Sequence, residues 1–196
     1  NNKVRKLHLP TNGYATIKTI NDTKKMLTDL PDLKINIGIS LDAMYEKHDI
    51  ISKKIGAFEK AIETQDILID LEKKFTNLST KFYTVLSNDN INETEELFEF
   101  IVKRYGYEKI GFSPLRGDPA NPELKPPSAE EWENLFKMYK KFVNKKEKNI
   151  KQFLINRKIE NIYKINKEAI SSNGFISKNQ KNFGKFNCSA GNNICV

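Results

Sequence analysis

The sequence is poor in cysteine, with 2 in 196 residues, and poor in arginine, with 4 against 29 lysines. Cys188 and Cys195 cannot staple a secreted mini-protein, and a structural zinc or iron–sulfur site needs about four ligands. Taken alone they read as two free thiols. No apolar run approaches the ~20 residues of a membrane span, and no basic-then-apolar signal segment opens the chain. The expected setting is cytoplasmic, with no membrane partner. The two histidines, His8 and His48, have no metal-ligand spacing and form no Cys/His dyad. Both are expected to be structural. Ser40 and Ser87 lack a G-x-S-x-G context, and no phosphate-cradling G-x-x-x-x-G-K-[ST] or G-x-G-x-x-G occurs.

What is present suffices for a core. With 38% hydrophobic and 30% charged positions, a chain of this length can bury roughly 70% of its unfolded surface. The net charge of +8 is almost all lysine and is dispersed over separate helical patterns. A nucleic-acid binder gathers charge on one face and adds Arg or aromatics, so nucleic acid is a disfavoured partner. The opening at Asn1, with a strand pattern from Arg5 almost at once, reads as a segment cut from a longer protein.

Short apolar runs at Lys6 to Leu9, Lys34 to Leu41, Lys81 to Leu86 and Lys109 to Leu115 are each followed by a helical pattern. That alternation predicts βα units and a parallel sheet. Asn92 with Glu95 predicts a helix start, and Gly106 its end. Ser128 and Glu131 form a capping box ahead of Trp132, Leu135, Phe136, Tyr139, Phe142 and Val143, an apolar stripe expected to pack as core. Three regions follow: residues 1–148 as the α/β part, 149–186 as a helical connector and linker, and 187–196 as a cysteine-containing extension.

In a parallel βα architecture, ligands meet the ends of the strands and the loops that follow. The four endings here are Pro10-Thr11-Asn12-Gly13, Ser40-Leu41-Asp42, Ser87-Asn88-Asp89-Asn90 and Ser113-Pro114-Leu115-Arg116-Gly117-Asp118-Pro119. Each alone is ordinary turn chemistry; four on one rim point to a polar ligand lying across it. Arg116 and Asp118 could face a substrate or pair within their turn.

Thr11-Asn12-Gly13, then Ser40-Leu41-Asp42 with His48-Asp49 and Gly56-Ala57-Phe58 behind it, then Thr84-Val85-Leu86-Ser87 with Asn90, then Ser113-Pro114-Leu115-Arg116-Gly117 together resemble the second half of a radical S-adenosylmethionine enzyme. Cys188-Ser189-Ala190-Gly191 is similar to the opening of the SPASM-type extension that holds auxiliary [4Fe-4S] clusters. The resemblance implies the third to sixth strands of a partial (β/α)6 barrel. It implies cofactor contacts from Thr11, Asn12, Ser40, Asp42, Ser87 and Leu115: Ser40 at the carboxylate or ribose end of S-adenosylmethionine, Asp42 supporting that loop, and Leu115 against the adenine. Cys188 would be the first auxiliary metal ligand. Family members carry an Arg shortly after His-Asp; Ser52 and Lys53 stand here, and a lysine supplies charge without the bidentate fork. The family's C-x-x-x-C-x-x-C cluster loop is absent.

The implied chemistry is reductive cleavage of S-adenosylmethionine to a deoxyadenosyl radical that takes hydrogen from a substrate, a peptide, protein or small molecule. The implied electron donor is a flavodoxin or ferredoxin. This chain alone, without the main cluster ligands, is expected to be inactive. The rival readings are another (β/α)-barrel enzyme of lyase or aldolase type, and a basic, non-enzymatic binding module.

Overall fold

A computed structural model describes residues 4–144 and, beyond them, Glu160, Asn161, Tyr163, Lys164, Asn166 and Lys167. The fold is α/β. Strands β1 (Lys6–Thr11), β2 (Lys34–Ser40), β3 (Leu78–Leu86) and β4 (Ile110–Pro114) form a four-stranded parallel sheet in the order β1-β2-β3-β4. Helices α1 (Thr16–Asp29), α2 (Tyr45–Ser52) and α3 (Ala57–Glu72) connect the first three strands, α4 (Thr94–Arg104) precedes β4, and α5 (Ala129–Asn144) follows it. The strand order never reverses, so each crossover steps the same way along the sheet. No topological switch point of the doubly wound kind occurs among these strands.

The described residues divide into two compact units. The first runs to Thr84 and adds Glu108–Gly111; the second comprises Val85–Tyr107 and the described residues from Phe112 onward.

In the first unit, the sheet is two-sided in character. Ile35, Ile37 and Ile39 of β2 and Phe82 of β3 are at most 2% exposed. Helix α3 packs on β2 and α1 packs on α3, with Ile20 and Leu27 of α1 and Phe58, Ala61, Leu68 and Leu71 of α3 buried. Two polar side chains are tied into this core: the Thr64 hydroxyl donates to the Gly13 carbonyl at 2.6 Å, and the Gln65 amide nitrogen donates to Thr80 Oγ1 at 3.1 Å, while the buried Gln65 Oε1 has no hydrogen-bond partner among the described residues. The opposite parity gives Asn36, Gly38 and Ser40 on β2 and Ser79, Lys81 and Tyr83 on β3. A strand buried between two helix layers reads as a continuous apolar run; these strands alternate, so one face of the sheet is polar.

Helix α3 starts without a side-chain cap of its own, because Gly56 stands at its N-cap with φ +75°. The carboxylate of Asp49 supplies the cap instead, accepting the N–H of Gly56 at 2.5 Å and of Phe58 at 2.9 Å. Those N–H groups are among the four that a helix start leaves without partners.

In the second unit, the Ser128–Glu131 capping box forms as expected. Ser128 N–H donates to the Glu131 carboxylate at 2.7 Å, and Glu131 N–H donates to Ser128 Oγ at 3.2 Å. The stripe it launches is core: Trp132 and Val143 are fully buried, and Trp132, Phe136 and Tyr139 close around Phe112 at centroid distances of 5.7, 5.2 and 5.3 Å. Helix α4 ends at Gly106, whose φ is +103°, but it does not start from an Asn92 cap. A 3-10 turn at Ile91–Glu93 intervenes, and Asn90 organises the entry, with its side chain accepting from Ser87 N–H and donating to the Val85 carbonyl, both at 2.9 Å. The described residues between 160 and 167 are helical; Tyr163 stacks on Phe136 at 5.1 Å and Lys167 pairs with Glu133 at 3.2 Å.

Candidate functional site: strand ends and a polar sheet face

Each strand-end residue is fixed by local chemistry. At the end of β1, Thr11 Oγ1 accepts the Gly13 N–H at 3.1 Å and Asn12 Oδ1 accepts the Tyr14 N–H at 3.0 Å. These are the side-chain turns that Thr and Asn favour. Their acceptor atoms hold the turn, which leaves the Thr11 hydroxyl proton and the Asn12 amide N–H as the groups that a ligand would use. Gly13 is required here: its φ is +70° and a Cβ would lie 3.0 Å from the Ala61 Cα.

Ser40, at the end of β2, is half-buried. The residues after it are pinned from several sides. Leu41 N–H donates to the Tyr83 carbonyl at 3.0 Å, the Leu41 carbonyl accepts the Thr84 hydroxyl at 2.8 Å, and Asp42 N–H donates to Nδ1 of His48 at 3.2 Å. His48 is 2% exposed, and its burial pushes the imidazole down to about 4, against the smaller opposing pull of Asp49 and Glu59. It is therefore neutral at pH 7, as an acceptor at Nδ1 must be. Tyr45 completes the loop at φ +43°, a left-handed conformation that a bulky residue adopts only where its surroundings enforce it. Its ring lies 4.9 Å from that of Phe58. Asp49, beside His48, has its carboxyl held below the usual range by the Phe58 N–H first and by the Gly56 N–H after it. Lys53, where the resemblance expects arginine, is the exposed left-handed C-cap of α2 at φ +55°.

The second unit holds the other two candidates. Ser87, at the end of β3, is 7% exposed, and its Oγ accepts the Asp89 N–H at 3.3 Å. Leu115 follows β4; its side chain is 4% exposed and its N–H donates to the Leu86 carbonyl at 2.8 Å. Arg116 donates to Asn166 Oδ1 at 3.1 Å. Thus Thr11, Asn12, Ser40 and Asp42 fall in one unit, and Ser87 and Leu115 in the other. Cys188 and Cys195 lie outside the described residues, as does most of the connector at 149–186 and all of 187–196. Among the described residues, no group of three or more His, Cys, Asp or Glu side chains is placed to hold a metal ion, and no helix is long and apolar enough to cross a membrane.

One constellation was not anticipated. On the polar face of the first unit, His8, Asn36 and Ser79 stand in one register row across β1, β2 and β3. His8 Nδ1 and Asn36 Oδ1 are 2.5 Å apart, and Asn36 Nδ2 donates to Ser79 Oγ at 2.8 Å. The Tyr83 ring meets His8 edge to face at 5.1 Å. It passes over Gly38 and Gly111, where an added Cβ would each lie 2.7 Å from it. The signal was in the sequence: Asn36-Ile37-Gly38-Ile39-Ser40 alternates polar or small with Ile.

No family model matches this chain, and neither a curated protein nor a solved structure matches it.

Proposed function

We propose that this chain is the C-terminal part of a radical S-adenosylmethionine enzyme, with β1 to β4 as later strands of a partial (β/α) barrel. The observation that supports it is the Ser40-Leu41-Asp42 strand end, whose backbone is held by His48 while the adjoining Asp49 caps the next helix. The His-Asp pair of the resemblance thus has a physical job beside the strand end that would meet the cofactor.

The described residues suit one part of the cofactor system. The Ser40 hydroxyl, at the end of a pinned strand, is a donor and acceptor suited to a ribose or amino-acid carboxylate. Thr11 and Asn12 offer donors at the neighbouring strand end, and Asp42 holds the loop in place. When bound and reduced by a cluster fed from a flavodoxin or ferredoxin, S-adenosylmethionine supplies a deoxyadenosyl radical for hydrogen abstraction. The residues of this chain bind and orient; the main cluster would be held by a part of the protein outside it, and Cys188 would open an auxiliary one. The substrate would be a peptide, protein or small molecule.

The test is to read the coding sequence ahead of Asn1 and assay the complete protein anaerobically. The expected result is a C-x-x-x-C-x-x-C roughly 70 to 100 residues upstream, two missing βα units at about 30 residues or more each, with reductant-dependent formation of deoxyadenosine. In that enzyme, Ser40→Ala should weaken S-adenosylmethionine binding about tenfold, one hydrogen bond's worth. A reading frame that lacks the cysteine motif overturns the proposal in favour of a lyase- or aldolase-type barrel, which has the same strand order.

A further inference from the structure

The polar row on the sheet carries a consequence independent of S-adenosylmethionine. Asn36 is 6% exposed in the middle of β2, where leaving an amide unpaired is costly. Both ends of the amide are used. Its nitrogen lies 2.8 Å from Ser79 Oγ and 3.4 Å from the Ser79 carbonyl; a carbonyl only accepts, so that end of the amide is the NH2 group. The oxygen therefore faces His8, and an oxygen only accepts, so the His8 nitrogen beside it, Nδ1, carries the proton. A neutral imidazole with its proton on Nδ1 has a lone pair on Nε2. The His8 residue is exposed, and its ring is steered by two neighbours: Tyr83 at its edge, and Gly38, whose missing side chain leaves room for the His8 Cε1.

We propose that His8 is a general base, with Nε2 as proton acceptor towards a ligand lying on the polar face of the sheet, and that Asn36, anchored by Ser79, is its positioning residue. The step is a proton transfer. An X–H bond of the ligand breaks, its electron pair stays on X, and an N–H bond forms at Nε2; the Nδ1–H to Asn36 bond persists in both states and steadies the imidazolium. A base held by a fixed partner is the arrangement that general-base catalysis uses. The chain has one other histidine, His48, whose Nδ1 is occupied by Asp42 and which is buried, so the two are separable.

The probe is nitrobenzisoxazole, a planar carbon acid that needs only a base. Loss of its C–H proton cleaves the N–O bond and releases a coloured cyanonitrophenolate. With the 196-residue chain, elimination is expected at roughly tenfold or more over free imidazole at equal concentration. It should be lost in His8→Gln, reduced to the imidazole level in Asn36→Leu, and largely kept in Asn36→Asp, which restores an acceptor for Nδ1–H. Imidazole nitrogen NMR of the unaltered chain needs no variant and should find the His8 proton on Nδ1. Elimination no faster than free imidazole, elimination that survives His8→Gln, or a proton on Nε2 would each overturn the proposal.

Discussion

The backbone N–H of Asp42 donates to Nδ1 of His48 at 3.2 Å, tying the strand end that follows Ser40 to a histidine six residues on. The bond exists only while His48 is neutral, and burial keeps it so by lowering its pKa from 6.5 to about 4.

The sign of the pH dependence follows. Between those two values the unfolded chain binds a proton at His48 that the folded chain does not, so stability is full above pH ~6.5 and falls as the pH drops towards 4. The slope from this group approaches ~1.4 kcal/mol per pH unit. Urea denaturation at pH 7, 6 and 5 should show it, and His48→Gln should flatten it. An equal slope in the variant would show that other groups carry the acid sensitivity.

Removing the carboxylate of Asp49 leaves the Gly56 and Phe58 N–H groups of the α3 start without their partner. Asp49→Ala should lower the urea midpoint at unchanged m-value and speed hydrogen exchange at those two amides ahead of the rest of the helix. Asp49→Asn, which keeps an acceptor, should fall between. Unchanged exchange at Gly56 and Phe58 would remove Asp49 from the role of cap.

Gly38 is a steric requirement of Tyr83. A Cβ at position 38 would lie 2.7 Å from Tyr83 Cδ2, so Gly38→Ala should destabilise by about 1–3 kcal/mol, the usual range for overpacking. In a Tyr83→Ser background the same substitution should cost little. The double-mutant cycle reads the coupling directly, and additive effects would mean that the ring moves aside freely.

Trp132 is fully buried, yet its indole N–H has no hydrogen-bond partner among the described residues. Its worth is therefore in packing. Trp132→Ala should cost about 3–5 kcal/mol, whereas Trp132→Phe, which keeps an aromatic ring on Phe112 and gives up an unsatisfied donor, should cost under about 1.5 kcal/mol. Near-equal losses in the two variants would indicate an unseen partner for the N–H.

Much of this architecture was legible in the residues. The capping box, the α5 stripe and the parallel βα alternation are local or periodic patterns, and these determine element type. The start of β3 was misplaced by three residues because Ser79 interrupts its apolar run. The α4 entry was misplaced because a 3-10 turn organised by Asn90 lies ahead of the helix. The strand ends were recognisable as polar turns, but sequence spacing does not say which of their atoms a turn consumes; Thr11 and Asn12 give up their acceptors, and Ser87 is buried. His8 was expected to be structural, and its Nδ1 is indeed satisfied. Its second nitrogen emerges only when β1, β2 and β3 are placed in register, since Asn36 and Ser79 lie 28 and 71 positions away along the chain.

The far side of β3 has a different arrangement. Ile35 of β2 and Leu41 just after it donate to the carbonyls of Asn77 and Tyr83, so odd-numbered residues of β3 serve the β2 side and even-numbered ones face the β4 side. Strand β4 begins only at Ile110, and the Thr80 N–H is taken by the carboxylate of Glu72 at the end of α3, whose other oxygen holds Lys109. The Thr80 amide thus belongs to the helix layer rather than to the ladder. Its solvent protection is a gauge of how firmly α3 sits on the sheet, and fraying of that helix end would uncover one strand amide while its neighbours on the β2 side stay closed.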